Sequence, residues 1–327
     1  MRMQLKINCL SEHFRCSGRA RSRVRQNRWL SGGPGLLLAL VLTVGLAGSA
    51  GARSLGAPSV LTTNKPALKP TDAVKQIRIT RWTPIFRGVE ACSGVTAIPR
   101  PLQVRAVRVD LRARGIDFLV TPSNGDEPKD VGARTTSEFL SEFKCQVALN
   151  GSVFDVFAKQ RGEPVDVRGL SLSRGDLYSP PNQWDALLIS TNRRAWIARS
   201  PVDARGAYNG LSGFYALLIN GTNNGTMHDF HPRSAVGISR DGRYLILMTV
   251  DGRQPGYSEG ASTAETAEWL RKLGAYNGLN LDGGGSTTLV IEGPQGSPVV
   301  LNRPSGKSER RVANHLGVFA DPLPRRR

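Results

Sequence analysis

The chain has 327 residues, of which 44 are Lys or Arg and 26 are Asp or Glu, so its formal net charge is +18. Aromatic residues make up only 6% of the sequence, and the arginines are scattered among acids instead of forming stripes. This distribution argues against nucleic acid as a partner, since its binders usually combine a basic stripe with stacking aromatics, and it favours anionic surfaces or anionic substrates.

The first predicted element is an export signal. An arginine-rich segment, residues 1–34, is followed by the apolar run 36–47, which is shorter than the roughly 20 residues a membrane-spanning helix needs. Ala50-Gly51-Ala52 offers a small-residue cleavage site, so residues 1–52 are predicted to be a signal peptide. We expect a secreted, periplasmic or cell-envelope protein. Because the basic segment is unusually long, an uncleaved signal anchor is the alternative. In that case the signal segment is the part of the protein that contacts a membrane.

Residues 53–75 lack apolar periodicity and are predicted to be a flexible linker. Residues 76–321 are long enough for one folded domain with a substantial core, and residues 322–327 form a basic tail. Removing the signal leaves two cysteines, Cys92 and Cys145, which in an exported chain predict a disulfide, although pairing geometry is not readable from sequence. The sequence does not specify the oligomeric state.

Strand patterns dominate the predicted domain. The segments are 103–111, 116–120, 145–149, 185–190, 195–198, 235–239, 244–250, 298–301 and 316–319. The first two are predicted to pair as a hairpin through Arg114-Gly115. Segments 235–239 and 244–250 form the clearest hairpin, with Asp241-Gly242 at its turn.

Two helices are predicted. In the first, 262–273, Ser262 and Glu265 form a capping box and Gly274 follows the C-terminus. A shorter helix covers 136–143. Few helices among many strands indicate an α+β domain with a mixed β-sheet, not a doubly wound nucleotide-binding fold.

The stretch 279–288 is the most informative motif. Strand alternation places Asn280 and Asp282 on one face and packs Leu279 and Leu281 on the other. The three glycines that follow, 283–285, indicate a backbone with positive φ or a close approach to a ligand. Strand pattern resumes at 287, which predicts a tight strand-loop-strand turn beside a site. A plain glycine hairpin with a turn Asp is the alternative.

Polar clusters lie at the ends of several strands or in the loops that leave them. They are Asn150-Gly151-Ser152, His231-Pro232-Arg233-Ser234, Asp251-Gly252-Arg253-Gln254, Asn280 to Ser286, and Glu309 to His315. Loops gathered at one edge of a sheet are where a rigid scaffold usually carries its functional residues.

These motifs, in this order, resemble the phosphodiester glycosidase family. The matching segments are Asn150-Gly151, 231–237, Asp251-Gly252-Arg253, the Glu265 helix ending in 273–275, and 280–286, so the resemblance covers roughly residues 100–320. It implies a secreted or lumenal hydrolase of sugar phosphodiesters. We expect the substrate to be a small or polymeric glycan phosphodiester, and we expect neither a cofactor nor a metal. Ser234, where Thr is frequent, and the spacer 220–226 depart from the family pattern, but neither involves the acids or arginines.

The chemistry of such a reaction indicates roles for these residues. Phosphate is a weakly basic leaving group, so an anion clamp matters more than a general acid. Candidates for that clamp and for substrate binding are Asn150, His231, Arg233, Arg253, Asn280, Gly283, Gly284, Gly285, Ser286, Arg310 and Arg311. A carboxylate must then act at the sugar carbon, and the candidates are Asp282, ranked first, Glu265 and Asp251.

Structural roles compete with several of these assignments. Glu265 needs no catalytic role as a capping acid, and Arg233 and Arg253 can pair with Asp251 or Asp229. His228 and His231 are spaced for a metal on a helix, but Pro232 favours a loop. For the whole protein, the alternative is a non-catalytic surface module that binds anionic glycans or wall polymers. The sugar, its aglycone and the stereochemical course stay open.

Overall fold

The computed structural model describes residues 77–306 and 308–324. The predicted signal peptide, the linker and the last three residues of the basic tail lie outside this part of the chain. No helix in the described part is both long and apolar enough to cross a membrane.

Strands make up most of the regular structure. In chain order they are β1 (Arg78–Ile79), β2 (Thr83–Phe86), β3 (Val89–Thr96), β4 (Leu102–Asp110), β5 (Asp117–Val120), β6 (Val131–Gly132), β7 (Val147–Asn150), β8 (Pro164–Val165), β9 (Ser171–Ser173), β10 (Asp176–Ser179), β11 (Ala186–Ile189), β12 (Ala195–Ala198), β13 (Asn209–Ser212), β14 (Ala216–Ile219), β15 (Thr222–Asn223), β16 (Arg233–Ser239), β17 (Tyr244–Val250), β18 (Ala275–Asn280), β19 (Leu289–Glu292), β20 (Pro298–Val300) and β21 (His315–Phe319). The α-helices are α1 (Thr136–Phe143) and α2 (Thr263–Lys272).

α2 begins at the predicted capping residues, and α1 begins at a second capping box that the sequence prediction did not include. The Ser262 hydroxyl accepts from the Glu265 amide, and the Glu265 carboxylate accepts from the Ser262 amide, which completes a capping box at α2. Thr135 and Glu138 form the same arrangement at α1. The prediction of few helices among many strands is confirmed.

Three sheets enclose the main core. The largest has the order β1-β3-β4-β17-β16-β18-β14-β15, with β2 also on β3, and two five-stranded sheets have the orders β10-β9-β13-β11-β12 and β20-β19-β7-β21-β5. All three contribute buried side chains to one cluster, which includes Val109, Phe118, Leu149, Leu187, Leu211, Val236, Leu247, Leu279 and Leu316. α2 covers the opposite face of the large sheet through Trp269 and Leu270, and α1 covers one five-stranded sheet through Phe139 and Leu140.

The strand pairing corrects two predictions. Every pair between described strands is antiparallel, so the sheets are not mixed. The predicted hairpin of 103–111 with 116–120 is wrong, because β4 pairs with β3 and β17 while β5 pairs with β21. Val109 and Phe118 nevertheless both contribute to the main core. The predicted hairpin of 235–239 with 244–250 is confirmed as β16 and β17.

The predicted disulfide is also wrong. Cys92 and Cys145 are both free and buried. Cys92 packs with Trp269 beneath the large sheet, whereas Cys145 packs with Phe139 beneath a five-stranded sheet. Burial raises the pKa of each thiol to about 12, which keeps both side chains neutral and unreactive.

Candidate functional site

A pocket of about 340 Å³ collects most of the residues predicted to form the site. The predicted residues that line it are His231, Arg233, Arg253, Asn280, Asp282, Gly283, Gly284, Gly285 and Arg310. They come from four separate chain segments, so the pocket exists only after those segments have been brought together.

Antiparallel register explains why these segments meet. β16 starts at Arg233, directly opposite the last residue of β17, and its third residue lies opposite Asn280, the last residue of β18. Arg253 and Asp282 follow the ends of β17 and β18 within three residues. Adjacent strands are only about 4.8 Å apart, so both side chains leave the large sheet at the same edge as Arg233.

Asn150 holds the backbone of Asp282 in place. The Asn150 Nδ2 donates to the Asp282 carbonyl oxygen at 2.7 Å, and its Oδ1 accepts from the Ser234 Oγ at 2.6 Å and the Thr288 amide at 3.1 Å. The Asp282 amide donates to the Gly151 carbonyl at 3.0 Å. Asn150 is fully buried with its side chain occupied, so its predicted role in substrate binding is replaced by positioning of Asp282.

The Asp282 carboxyl lies in an environment that favours its neutral form. Burial raises its pKa from an ordinary value of 3.8 to about 6, and this effect outweighs the hydrogen bonds from Ser286 and the Gly283 amide and the charge of Arg310. The group is therefore ionised at neutral pH yet close to its titration range. A carboxyl poised in this way is typical of catalytic acids, bases and nucleophiles.

The triple glycine makes room for arginine side chains. A Cβ on Gly285 would lie 2.2 Å from the Arg310 Nη2, and one on Gly284 would lie 3.2 Å from the Arg253 Nη2. Gly284 also has a φ of 62°, in the left-handed region that favours glycine. The glycines were predicted to allow positive φ or a close approach to a ligand. Gly284 has the positive φ, and the groups that lie nearest to Gly284 and Gly285 are guanidinium groups of the chain itself.

This turn is not a hairpin. β18 belongs to the large sheet and β19 to a five-stranded sheet, and the 3-10 turn Gly284–Ser286 carries the chain from one to the other. The alternative of a plain glycine hairpin is therefore wrong. The packed face is as expected, since Leu279 and Leu281 are both buried in the main core.

Three arginines, Arg233, Arg253 and Arg310, line the pocket. None of the three forms a salt bridge with a carboxylate in the described part of the chain. Arg233 is buried, and its Nε and Nη2 donate to the backbone carbonyls of Ala261 and Asp229 at 2.9 and 2.7 Å. Arg310 stacks on the Phe157 ring, with its Cζ 4.3 Å from the centroid. The predicted alternative of structural pairing holds only in part: Arg233 bonds to the Asp229 backbone carbonyl and lies within reach of its charge, but neither Arg233 nor Arg253 forms a salt bridge with Asp251 or Asp229.

His231 and Asn280 add uncharged polar groups. The His231 Nδ1 lies 3.4 Å from the Arg253 Nη2, and burial, followed by the charges of Arg233 and Arg253, lowers the pKa of His231. The imidazole is therefore neutral at pH 7, with Nδ1 as the acceptor. The Asn280 Oδ1 is buried and has no hydrogen-bond partner within the described part of the chain. Such a group is available to a hydroxyl or amide of a ligand.

Five predicted residues do not line the pocket: Asn150 and Ser286 hydrogen-bond to Asp282 behind it, and the other three are engaged elsewhere. Glu265 is occupied by its capping box and by an ion pair with Arg100. The Asp251 carboxylate is buried and accepts from the Asn302 Nδ2, the Arg303 amide and the Tyr257 hydroxyl at 3.0 to 3.2 Å. Arg311 pairs with Glu138 at 3.3 Å. Each of these last three side chains stabilises the fold, so their predicted catalytic or binding roles are not supported.

The sequence analysis missed three apolar residues that line the pocket, Phe157, Phe214 and Met227. Phe157 and Met227 are 65% and 44% exposed, which is unusual for large apolar side chains. They come from loops without a motif, and no pattern in the sequence distinguishes them. Within residues 77–306 and 308–324, no group of three or more His, Cys, Asp or Glu side chains is placed to hold a metal.

The chain is similar in sequence and in fold to known proteins. A sequence model of the family described as phosphodiester glycosidase matches residues 143–319. The N-acetylglucosamine-1-phosphodiester alpha-N-acetylglucosaminidases of Mus musculus and Homo sapiens are 46% and 43% identical to this chain over 61 residues. That segment is 19% of this chain and 11% of each relative, so the match spans about a tenth of those proteins.

Two solved structures share the fold. The catalytic domain of the zebrafish enzyme of the same name, auto-inhibited by its pro-peptide, superposes with a TM-score of 0.54 at 20% identity, covering 75% of this chain and 88% of that one. A hypothetical protein from Synechocystis superposes with a TM-score of 0.56 at 17% identity, covering 73% and 64% of the two chains. At these identities the likeness establishes the architecture alone.

Proposed function

Because this chain belongs to the phosphodiester glycosidase family, we propose that it is a hydrolase that cleaves the glycosidic bond of sugar 1-phosphodiesters. The observation that carries the proposal is the convergence of Asp282 with Arg233, Arg253 and Arg310 on one pocket. The names of the mammalian relatives make N-acetylglucosamine the first sugar to test.

The arginines supply the electrostatic part of the reaction. Cleavage between the sugar carbon and the phosphate oxygen leaves a second negative charge on the phosphate. Guanidinium groups that have no carboxylate partner retain their full charge for that group, and they donate hydrogen bonds in the planar geometry that phosphate oxygens accept. Hydrogen bonds to backbone carbonyls hold Arg233 in place before substrate binds, and the Phe157 ring does the same for Arg310.

Asp282 is the only carboxylate among the residues lining this pocket in the described chain. A second carboxyl, which ordinary glycosidases use as a general acid, is less necessary when phosphate leaves, because phosphate needs little protonation. Asp282 therefore acts at the sugar carbon in its ionised form, as the nucleophile or as the base for a water molecule. Retention of configuration in the product indicates the first role and inversion the second.

The uncharged residues then contact the sugar. The Asn280 Oδ1 accepts a hydrogen bond from a sugar hydroxyl or N-acetyl amide, and neutral His231 donates to the phosphate through its Nε2. Phe157 and Phe214 offer apolar ring faces beside these polar groups. This combination of a few directed polar groups and apolar walls is common in ligand pockets.

The test is hydrolysis by the purified protein. N-acetylglucosamine 1-phosphodiesters and a panel of other hexose 1-phosphodiesters are incubated with wild type and with Asp282→Asn, and free sugar is quantified. Release by wild type and its loss in the variant support the proposal. Binding without any release by either protein points to the alternative, a non-catalytic module for anionic glycans or wall polymers.

Export is a separate proposal that depends only on residues 1–52. The apolar run and the small-residue motif ending at Ala52 support it. N-terminal sequencing of protein recovered from outside the cytoplasm is expected to begin at Arg53. An intact N-terminus on cytoplasmic protein contradicts it.

A further inference from the structure

A second, larger cleft lies away from the candidate active site. Its volume is about 740 Å³, and it is lined by residues around Arg112, the 192–199 segment, the turn Arg240-Asp241-Gly242 and the ends of β14 and β16. β16 connects the two sites, since Arg233 lies at the pocket and Ser239 at the cleft. Six residues of strand separate these positions by about 20 Å.

Arginine dominates the lining of this cleft. The five arginines are Arg112, Arg193, Arg194, Arg199 and Arg240, and the single carboxylate among the lining residues is Asp241. Asp241 is already engaged, because it accepts from the Ser239 Oγ at 2.6 Å and from the Arg243 amide at 3.1 Å. The Arg199 charge is offset by Asp185 at 2.9 Å.

The other four arginines have no carboxylate within salt-bridge distance in the described part of the chain. Guanidinium groups that line one cleft repel one another, which costs stability, although Asp110 and Asp241 offset part of the Arg112 charge at longer range. An anion that binds among them removes that cost and gains charge-assisted hydrogen bonds.

Three of these guanidinium groups are held in place by other contacts. The Arg112 Nη2 donates to the Asp241 carbonyl at 3.2 Å. The Arg193 Nη1 donates to the Ile116 carbonyl at 3.4 Å, while its Nε is buried and without a partner in the described residues. The Arg240 Cζ lies 4.1 Å from the centroid of the Tyr276 ring. Trp196, which is half-buried, adds an apolar ring to the same wall. The cleft thus combines positioned cations with an aromatic surface.

From these observations we propose that the cleft is a second anion-binding site, which holds a phosphate group of a phosphorylated glycan. The arginines take the phosphate oxygens and the Trp196 ring packs on the apolar face of an adjoining sugar. A polymer with recurring phosphates can then occupy the cleft and the pocket together, which raises the effective concentration of its reactive bond at Asp282. The choice of a glycan over other polyanions rests on the proposed function.

The test measures binding without turnover, so that its outcome is separate from hydrolysis. In a full-length Asp282→Asn background, Arg194→Ser/Arg240→Ser is compared with Arg78→Ser/Arg81→Ser. All four arginines are exposed, and the control pair lies at the β1 edge of the large sheet, four strands from β16. Both double variants lose the same charge. The probe is fluorescently labelled phosphorylated dextran, titrated by anisotropy.

The proposal expects the cleft variant to bind phosphorylated dextran about tenfold more weakly and the control variant to bind as the parent does. Equal weakening in both variants reduces the effect to net charge and overturns the proposal. Competition separates the ligand classes: inorganic phosphate is expected to compete weakly and unphosphorylated dextran not at all. A single-stranded oligonucleotide or inorganic phosphate that binds as tightly as the phosphorylated dextran overturns the assignment to a glycan.

The fluorescence of Trp196 provides an independent measurement of binding to the cleft in the Asp282→Asn protein. Phosphorylated dextran is expected to change the intrinsic fluorescence of the Asp282→Asn chain, and most of the change is expected to disappear in Asp282→Asn/Trp196→Phe, leaving only the contribution of Trp184, which packs on Phe214 at the pocket. A signal as large in the Trp196 variant as in the parent contradicts occupation of the cleft.

Discussion

The side-chain amide of Asn150 donates a 2.7 Å hydrogen bond to the backbone carbonyl of Asp282. This bond joins the end of β7, in a five-stranded sheet, to the segment that follows β18 in the large sheet. The carboxylate of the candidate active site is therefore positioned by a residue from another sheet, and the two sheets must pack correctly before Asp282 has a defined place.

Replacing Asn150 by Ala is expected to cost about 2–4 kcal/mol in the free energy of unfolding, because three buried hydrogen bonds are lost together. Ser234→Ala removes one of the three and is expected to cost about 1 kcal/mol. Urea unfolding measures both changes. Equal stability losses in the two variants would show that the bonds to Asp282 and Thr288 contribute nothing.

Hydrolysis is expected to depend on ionised Asp282. Since its pKa is about 6, kcat/KM rises with pH up to about 6 and then levels off, while a phosphodiester substrate keeps one charge across this range. Asp282→Asn is expected to lower kcat/KM by about 10³-fold or more. The check is a pH-rate profile of wild type. A profile that is flat from pH 4 to 8 contradicts this role.

The same pKa shift predicts a pH-dependent stability. A carboxyl whose pKa is raised from 3.8 to about 6 binds its proton more tightly in the folded state, so the folded protein loses stability as pH rises between these values. Asp282→Asn removes the ionisation. At pH 8 it is expected to raise the free energy of unfolding by on the order of 1 kcal/mol. Denaturant unfolding at pH 4 is the control, because Asp282 is then neutral in the folded protein and most of the gain disappears.

Two arginines that are adjacent in the chain provide a matched test of phosphate binding, because only one of them lines the pocket. Arg310 lines the pocket, whereas Arg311 pairs with Glu138. Arg310→Ala is expected to lower kcat/KM by about 10²-fold because it removes charge from the developing phosphate. Arg311→Ala removes the same charge from the chain and is expected to leave kcat/KM unchanged. Equal losses in the two variants would contradict the arrangement of the pocket.

Glu265 is expected to affect stability and not catalysis. Glu265→Ala removes half of the α2 capping box and the partner of Arg100, which is expected to cost about 1–2 kcal/mol. Thermal unfolding detects the loss, and steady-state kinetics well below the melting temperature detect any change in turnover. A large fall in kcat with unchanged stability would instead support the catalytic role that the sequence predicted for Glu265.

Features that depend on neighbouring residues were predictable from the sequence. Ser262 and Glu265 start α2 because their reciprocal hydrogen bonds span three residues. The turn at Asp241-Gly242 joins β16 and β17 because a short turn leaves few ways to pair its flanking strands. The alternation around Asp282 likewise placed Leu279 and Leu281 in the core.

Partners that are distant in the chain were decided only by the packing of the three sheets. Periodicity states which face of a strand is buried but not which strand lies beside it, so β4 and β5 were paired wrongly and Cys92 was matched with Cys145. For the same reason, the sequence identified charged candidates near Asp282 but could not separate those that reach it from those that stabilise other contacts. Arg310 and Arg311 are neighbours in the chain, and only the fold directs one to the pocket and the other to Glu138.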